Sequence, residues 1–210
     1  MDRLVSIEEM LTTGNATKLL DLVKDAFESG ISAEVILNDG LIAGMDIVGE
    51  KMGSGEMFIP EVLMSAKAMT YCIDFLKPQL TKGSQLGKGI IVIGTVKGDL
   101  HEIGKNLVTM MLETARFDVI NLGIGVPPEK FVAAVKEKGA HMLCMSALLT
   151  TTMPMMKTTI EVLMKSGLRD QVKVLVGGAP VTQKFADEIQ ADGYAADAGA
   201  AVKLVKQMLA

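Results

Sequence analysis

The stretch GIIVIGTVKGDLHEIGKN, residues 89–106, begins as an apolar run and continues as a polar segment that contains glycine. The run Ile90–Ile93 is typical of a strand that is buried on both faces, as in parallel sheets. The polar segment carries Asp99, His101 and Gly104. Because the chain has only two histidines, a histidine at the point where a strand passes into a helix indicates a specific chemical role.

Apolar runs alternate with helical patterns through the rest of the chain. Five runs predict strands: Ile90–Ile93, Phe117–Leu122, Met142–Met145, Val174–Val176 and Tyr194–Ala196. The helices between them are predicted to begin near His101, Pro128, Thr152, Val181 and Asp197. Strands that alternate with helices form a parallel sheet covered on both faces. We therefore predict an α/β domain over residues 90–210, flavodoxin-like, with the strand order 2-1-3-4-5.

Residues 1–80 have a different, purely helical pattern. Ser6 and Glu9 have the spacing of a capping box at the start of a first helix. A second helix is predicted to end at Gly30, and Ser32 can cap a third. Pro60 suits the first turn of a fourth helix, which Pro78 is expected to stop. Four amphipathic helices with short connections predict a helical bundle, joined to the second domain by a glycine-rich linker at 81–89.

Composition narrows the class of protein. Apolar residues make up 49% of the 210 residues, which is typical of a folded protein, and the net charge is −4 without a Lys/Arg run. This balance argues against a nucleic-acid surface or an anionic membrane as partner. The N-terminus lacks the apolar core of a signal peptide. We expect a soluble cytoplasmic protein.

Several residues that often carry chemistry have ordinary interpretations here. Cys72 and Cys144 lie far apart without a CxxC motif, and we interpret both as core residues. We expect His141, just before the third strand, to be a surface residue. The 16 methionines are consistent with core filling and also with an adaptable apolar surface. Composition does not decide between these two interpretations.

Ligands of such sheets bind outside the carboxyl ends of the strands, near the switch point in strand order. The order 2-1-3-4-5 places the first, third and fourth strands side by side. The segments that follow these strands are VKGDLHEIG, SALLTTT and GGAP. We therefore expect His101, Ser146 and Gly177–Gly178 to share one edge.

Familiar catalytic and phosphate motifs do not fit this edge. Five residues separate Gly98 from Gly104 where a P-loop has four, and Asn106 stands where it needs Ser or Thr. No G-x-S-x-G elbow is present for a serine hydrolase. Zinc would need further Cys, His or carboxylate ligands. A histidine with a carboxylate two residues away instead suits a metal whose other ligands come from its own cofactor, because the carboxylate can fix the imidazole tautomer. The alternative is that His101 only caps the following helix.

Three fragments with fixed spacing carry a family resemblance. They are Asp99-x-His101-x-x-Gly104, then Ser146-x-Leu148 after 41 residues, then Gly177–Gly178 after 28 residues. This pattern resembles the cobalamin-binding fingerprint shared by methionine synthase, the corrinoid proteins of methyltransferase systems and some mutases. The helical bundle resembles the cap domain of that family, which the mutases generally lack. The resemblance therefore favours methyl chemistry.

The resemblance implies a role for individual residues. His101 would be the lower axial ligand of cobalt, and Asp99 would bind the other imidazole nitrogen. Thr152, where methionine synthase has serine, would complete a hydrogen-bond relay that consists of Thr152, Asp99 and His101. The remaining implied cofactor-binding positions are Gly98, Glu102, Ile103, Gly104, Ser146, Leu148, Thr150, Gly177, Gly178 and Ala198. In the cap, Met52 and Ile59 would lie over the ring, where methionine synthase has phenylalanine and leucine.

The resemblance also implies a function that needs other proteins. We expect a corrinoid protein that carries a methyl group on cobalt, one subunit of a methyltransferase system and not a complete enzyme alone. The implied partners are a substrate-specific methyltransferase, a methyltransferase that uses tetrahydrofolate or a thiol as acceptor, and a reductive activation protein. The alternatives are a cobalamin-dependent sensor and a cobalamin storage or delivery protein. The methyl donor stays open among methanol, a methylamine, a betaine and an aryl ether.

Overall fold

The structure, a computed structural model, describes residues 3–80 and 89–209. The chain divides into two compact units, Met1–Leu86 and Gly87–Ala210. Of the predicted linker at 81–89, only Gly89 belongs to the described residues. Within the described residues, no helix is both long and apolar enough to span a bilayer.

The first unit is helical. Its elements are α1 (Arg3–Thr12), α2 (Ala16–Glu28), α3 (Ala33–Val35), a π-helical segment (Ile36–Ile42), α4 (Ala43–Ser54), α5 (Ile59–Leu76) and a 3₁₀ turn (Lys77–Gln79). The apolar stripes that predicted these helices form the core, where Ile7, Leu19, Val48 and Met69 are fully buried. The predicted helical N-terminal unit is therefore confirmed, because its apolar faces have each other to pack against.

The start of α1 corrects one prediction. The capping box of Ser6 and Glu9 is wrong, because α1 already begins at Arg3 and Ser6 lies inside the helix. The side chain of Leu4 approaches Gly40 of the π-helical segment, so packing upstream of Ser6 extends the helix. The cap at Ser32 is confirmed: its Oγ accepts a hydrogen bond from the N–H of Val35 at 3.3 Å.

The predicted third helix differs from a regular α-helix. The π-helical segment follows α3 directly, and α4 follows the π-helical segment without a break. Two glycines of this stretch lie against α1: a Cβ on Gly40 would be 3.1 Å from Cγ2 of Ile7, and one on Gly44 would be 3.0 Å from Cα of Glu8. The glycines therefore permit a close helix–helix approach, which hydrophobic periodicity does not reveal.

The second unit is a parallel sheet with helices. Its strands are β1 (Ile90–Thr95), β2 (Asp118–Asn121), β3 (Met142–Ser146), β4 (Lys173–Gly177) and β5 (Gly193–Ala195). Within residues 89–209 they pair in the order β2-β1-β3-β4-β5, all parallel. The connecting helices are α6 (Ile103–Thr114), α7 (Pro128–Lys138), α8 (Pro154–Lys165), α9 (Gln183–Glu188) and α10 (Ala198–Met208). The predicted order is confirmed.

Burial explains the sequence pattern of the strands. Val92, Leu143 and Val174 in the three central strands are fully buried, because helices cover both faces of the sheet. The edge strand β2 is shorter than the predicted Phe117–Leu122 and only half buried. Three helices begin two residues later than predicted, α6 at Ile103, α8 at Pro154 and α9 at Gln183. The residues in between therefore lie in loops at the carboxyl edge of the sheet.

Candidate functional site

The carboxyl ends of the strands form one row. Thr95, the last residue of β1, pairs with Ser146 of β3, and Ser146 pairs with Gly177 of β4. Gly177 in turn pairs with Ala195 of β5. Because parallel strands end at the same edge, the loops that follow β1, β3 and β4 lie together there. The structure thus brings together the three sequence fragments that lie far apart along the chain.

Asp99 is the most fully bonded side chain of this edge. It is completely buried. Its Oδ1 lies 2.7 Å from Nδ1 of His101 and accepts the backbone N–H of the same residue at 3.1 Å. Its Oδ2 accepts the backbone N–H of Leu148 at 2.7 Å and the hydroxyl of Thr152 at 2.8 Å. Both oxygens are therefore occupied by protein donors, so Asp99 is suited to orient His101 and not to bind a metal.

These hydrogen bonds decide the charge of Asp99. Burial opposes its ionisation, but the hydrogen bonds from the Leu148 N–H, the His101 ring and N–H and the Thr152 hydroxyl outweigh burial and hold the pKa of this carboxyl well below its usual range. Asp99 is therefore an anion at neutral pH. A carboxylate anion can only accept hydrogen bonds, so the neutral imidazole of His101 carries its proton on Nδ1.

His101 presents its other nitrogen outwards. Its side chain is half exposed. With the proton on Nδ1, the Nε2 atom has a lone pair, and no residue in the described part of the chain forms a hydrogen bond with it. An imidazole nitrogen held in this way is a good metal ligand. Within the described residues no three His, Cys, Asp or Glu side chains are grouped as metal ligands, so a metal here would draw its other ligands from elsewhere.

Thr152 lies where the relay needs a hydroxyl. It is almost fully buried, and its Oγ1 lies 2.8 Å from Oδ2 of Asp99 and 2.9 Å from the carbonyl oxygen of Leu149. One hydroxyl proton serves one of these acceptors at a time. Thr152 can therefore strengthen or release its hydrogen bond to Asp99 without leaving its own proton unpaired.

Exposed apolar side chains lie in the segments that follow β1, β2 and β3 at this edge. Leu100 and Ile103 are 70% and 71% exposed, and Ile124, Leu148 and Leu149 are each about 40% exposed. Large apolar side chains exposed together indicate a binding surface. An apolar edge that carries one free imidazole nitrogen would suit a flat macrocycle that holds a metal able to bind an imidazole. The residues present therefore fit a corrinoid.

The glycines of the site have different reasons to be glycine. Gly98 and Gly178 have positive φ angles of 86° and 126°. A Cβ on Gly178 would lie 1.9 Å from the carbonyl oxygen of Ala147, and one on Gly177 would lie 3.0 Å from that of Ala195. Packing of the protein itself thus requires glycine at 178 and leaves little room for a side chain at 177, whereas the sequence interpretation invoked only the ligand. A Cβ on Gly104 would meet nothing within 4 Å.

The remaining predicted residues lie at the same edge or in the first unit. Ser146 is half-buried, Glu102 and Thr150 are exposed, and Ala198 is buried as the first residue of α10. Met52 lies in α4 and is half-buried, and Ile59 begins α5 and is partly exposed. Their predicted place over a ring stays a prediction.

Two donors at the site were missed by sequence reasoning. The backbone N–H of Leu148 bonds Asp99, and the hydroxyl of buried Thr95 donates to the carbonyl oxygen of His101 at 2.8 Å. Almost every residue has a backbone N–H, so the sequence does not indicate which one will reach the site. Thr95, however, was visible as a polar residue that ends an apolar strand.

Comparison with known proteins agrees with this geometry. A family model described as B12 binding domain matches residues 89–203, and a second model with the same description matches residues 5–77. A corrinoid protein of Desulfitobacterium hafniense is 42% identical over 212 aligned positions, covering 100% of this chain and 98% of its own. Dimethylamine corrinoid protein 1 of Methanosarcina acetivorans is 48% identical over 176 positions, 83% of each chain.

A solved structure extends the likeness to the fold. The methanol:cobalamin methyltransferase complex from Methanosarcina barkeri contains a chain that matches 99% of this one, with 31% identity and a TM-score of 0.82; the match covers 80% of that chain. The family models together span both units, and each relative covers more than two thirds of this chain. This chain therefore belongs to the B12-binding family, among the corrinoid proteins of methyltransferase systems.

Proposed function

We propose that this protein carries a methyl group on the cobalt of a bound corrinoid, between a substrate-specific methyltransferase and a second methyltransferase that supplies the acceptor. The observation that carries this proposal is the state of His101: its Nδ1 is held by buried Asp99 at 2.7 Å, and its Nε2 has no partner among the described residues. When bound, the corrinoid supplies a cobalt centre that accepts and releases the methyl group.

Three side chains of this protein would hold and adjust that centre. His101 would bind the metal through Nε2, and Asp99 keeps the proton on Nδ1, which raises the basicity of Nε2. Thr152 donates to Asp99 and can turn towards the carbonyl of Leu149, so it can adjust the charge that Asp99 presents to the imidazole. The strength of a bond from His101 to the metal would therefore be set by a relay of three side chains, His101, Asp99 and Thr152.

The proposed cofactor-binding positions fall into three groups. Gly98, Glu102, Ile103 and Gly104 lie within three positions of His101 along the chain. Ser146, Leu148, Thr150, Gly177, Gly178 and Ala198 would receive the nucleotide tail beyond the strand ends. Met52 and Ile59 of the helical unit would also contact the corrinoid. The exposed apolar side chain of Ile59 supports that contact.

The thiols of the chain do not compete as methyl acceptors. Burial raises the pKa of both Cys72 and Cys144 to about 12. The thiolate is the nucleophilic form, so both stay unreactive at neutral pH. A methyl group carried by this protein would therefore need an external acceptor such as a thiol or tetrahydrofolate, presented by the second methyltransferase.

We infer that donor activation comes from a partner. The described residues hold no cluster of metal-binding side chains, and Asp99 and His101 are committed to the relay. The relative from the methanol:cobalamin methyltransferase complex supports a substrate-specific methyltransferase as that partner. A reductive activation protein would restore corrinoid that has become oxidised. The partner decides the donor, which is one reason why relatives are named for different substrates.

Sensing and storage are the other uses of such a chain. Both need corrinoid binding but no methyl exchange with a second protein. The relatives are proteins of methyltransferase systems, which favours carriage.

The test measures both the binding of His101 to cobalt and the transfer of a methyl group. In the Co(II) form, electron paramagnetic resonance with isotopically labelled histidine should show coupling of cobalt to a histidine nitrogen. The reduced holoprotein should then gain methyl from a candidate donor, followed by visible absorbance, only when a substrate-specific methyltransferase is added. Absence of the histidine coupling would contradict the ligand assignment. Rapid, saturable methylation without a partner would contradict the carrier role.

A further inference from the structure

A buried ammonium group lies four residues beyond His101 and has no part in the proposed relay. Lys105, the third residue of α6, is only 3% exposed. No carboxylate of the described residues forms an ion pair with it. Burying an unpaired ammonium is costly, and a positive charge in the first turn of a helix is unfavourable as well. Burial lowers the pKa of Lys105, although nearby Glu102 opposes that shift.

The partners of Lys105 are two asparagine side chains. Its Nζ donates to Oδ1 of Asn106 and, at 2.8 Å, to Oδ1 of Asn121. The amide of Asn121 also donates to Oδ1 of Asn106 at 3.3 Å. Asn121 is the last residue of β2. Lys105 thus ties the start of α6 to the carboxyl end of the neighbouring edge strand.

Asn121 also forms a hydrogen bond with the loop that follows β2. Its Oδ1 also accepts the backbone N–H of Gly123 at 3.0 Å, and the carbonyl oxygen of Gly123 accepts the N–H of Thr95 at 3.0 Å. We call residues 122–125 the glycine loop. Gly123 and Gly125 have φ angles of 84° and 63°, and a Cβ on either would meet nothing within 4 Å. Leu122 packs against the core of the sheet, but Gly123 and Gly125 contribute no side-chain packing, so the part of the loop from Gly123 onwards depends on hydrogen bonds.

The far end of the glycine loop reaches the candidate ligand. The N–H of Gly125 donates to the carbonyl oxygen of Asp99 at 3.0 Å. The hydroxyl of Thr95 donates to the carbonyl oxygen of His101 at 2.8 Å. A continuous set of hydrogen bonds therefore runs from the buried ammonium, through Asn121 and the glycine loop, to the backbone on both sides of Leu100.

We propose that Lys105 is a positioning residue for the His101 loop, acting through Asn121 and the glycine loop. This inference deepens the proposed function, since it rests on His101 as the cobalt ligand. A single acceptor atom, Oδ1 of Asn121, receives both the ammonium of Lys105 and the N–H of Gly123. The ammonium fixes the direction of that atom, and thereby the backbone that supports Asp99 and His101.

The first experiment uses the protein without corrinoid. In Lys105→Met, which keeps the length of the side chain but removes its donors, the backbone amides of Gly123 and Gly125 should exchange with solvent about tenfold faster, because the hydrogen bonds that hold the loop are weakened. Lys157→Met, at an exposed position of α8, is the matched control and should leave both amides unchanged. Unchanged exchange in Lys105→Met would overturn the proposal.

The second experiment uses the corrinoid-loaded protein. At one pH, Lys105→Met should bind the corrinoid with nearly unchanged affinity but show a several-fold smaller histidine-bound fraction in the Co(II) resonance spectrum. A merely structural role would lower affinity and ligation together. Should the unmutated protein show no histidine coupling, the ligand assignment fails, whereas the exchange result for the glycine loop still decides the role of Lys105.

Two variants of Asn121 keep the test decisive if Lys105→Met does not fold. Asn121 is exposed, so its replacement leaves the core intact. Asn121→Ala should speed exchange as Lys105→Met does. Asn121→Asp retains the acceptor and gains an ion pair with Lys105, so it should preserve slow exchange. Equal exchange rates in Asn121→Ala and Asn121→Asp would contradict the proposal.

Discussion

The two histidines of this chain lie at opposite edges of one sheet and use the same ring nitrogen in opposite ways. At the carboxyl edge, Nδ1 of His101 donates to the anionic carboxylate of Asp99. At the amino edge, Nδ1 of His141 accepts the backbone N–H of Ile90 at 3.0 Å. When both rings are neutral, Nε2 therefore carries a lone pair in His101 and a proton in His141. The partner of Nδ1, and not the residue type or its exposure, decides which histidine can bind a metal.

The largest effect is expected from removing His101, with the removal of His141 as the matched control. His101→Ala should abolish the histidine nitrogen coupling in the Co(II) resonance spectrum, because no other imidazole lies at that edge among the described residues. The variant should still bind corrinoid through the predicted tail positions. His141→Ala should leave the coupling intact. Loss of the coupling in His141→Ala would reverse the comparison.

A replacement at Asp99 should make His101 resemble His141. In Asp99→Asn the side-chain amide can donate to Nδ1, which moves the imidazole proton to Nε2 and occupies the atom that would bind cobalt. Changes to groups that orient a ligand typically cost roughly 10- to 100-fold in affinity or activity. Nitrogen chemical shifts of the labelled ring in the corrinoid-free protein would report the tautomer. An unchanged tautomer would contradict this account of the Asp99 hydrogen bond.

A smaller effect is expected at Thr152. Thr152→Val removes the hydroxyl that donates to Oδ2 of Asp99 at 2.8 Å, while Thr152→Ser keeps it and serves as the matched control. One such hydrogen bond contributes about 1 kcal/mol, so the histidine-bound fraction should change several-fold in the valine variant. The serine variant should resemble the unmutated protein. Equal behaviour of both variants would remove Thr152 from the relay.

The smallest effect is expected at the amino edge. His141→Ala removes the acceptor of the Ile90 N–H, whose bond joins the first residue of β1 to the start of β3. The free energy of unfolding should fall by about 1 kcal/mol or less, since the group is exposed and water can replace it. Chemical denaturation measures this, with corrinoid affinity expected to stay unchanged. A change in affinity would mean that the two edges are coupled.

Much of the fold could be predicted because its signals are local. The apolar run Ile90–Ile93 forms most of β1, and the observed strand order β2-β1-β3-β4-β5 is the flavodoxin-like order that five alternating strands and helices fit. The failures arose where packing overrides a local signal. Ser6 does not cap α1, because contacts of residues before it extend the helix. The π-helical segment was missed, since hydrophobic periodicity does not report the close approach of Gly40 and Gly44 to α1.

The candidate site also has features that the sequence predicted and features that it did not. The spacing of Asp99 and His101 indicated a carboxylate–imidazole pair, and the structure has that pair at hydrogen-bond distance. The interpretation of Gly178 was incomplete: its Cβ position is filled by the carbonyl of Ala147, a contact between residues of two different loops. Lys105 was not predicted, because the sequence has 21 Lys and Arg residues and does not show which of them the fold buries.

The sequence by itself determined the class of fold and the pairing of Asp99 with His101 at one edge of the sheet, which is the predicted centre of the candidate site, because each depends on order and spacing along the chain. Only the tertiary structure decided which nitrogen of each histidine is free, since that depends on a carboxylate, a backbone N–H and a hydroxyl that converge from different strands. Leu148 and Thr152 reach Asp99 from about 50 residues away, and no local pattern encodes the angle at which they arrive. The fold thus turns one of two histidines into a candidate metal ligand by fixing the place of a single proton.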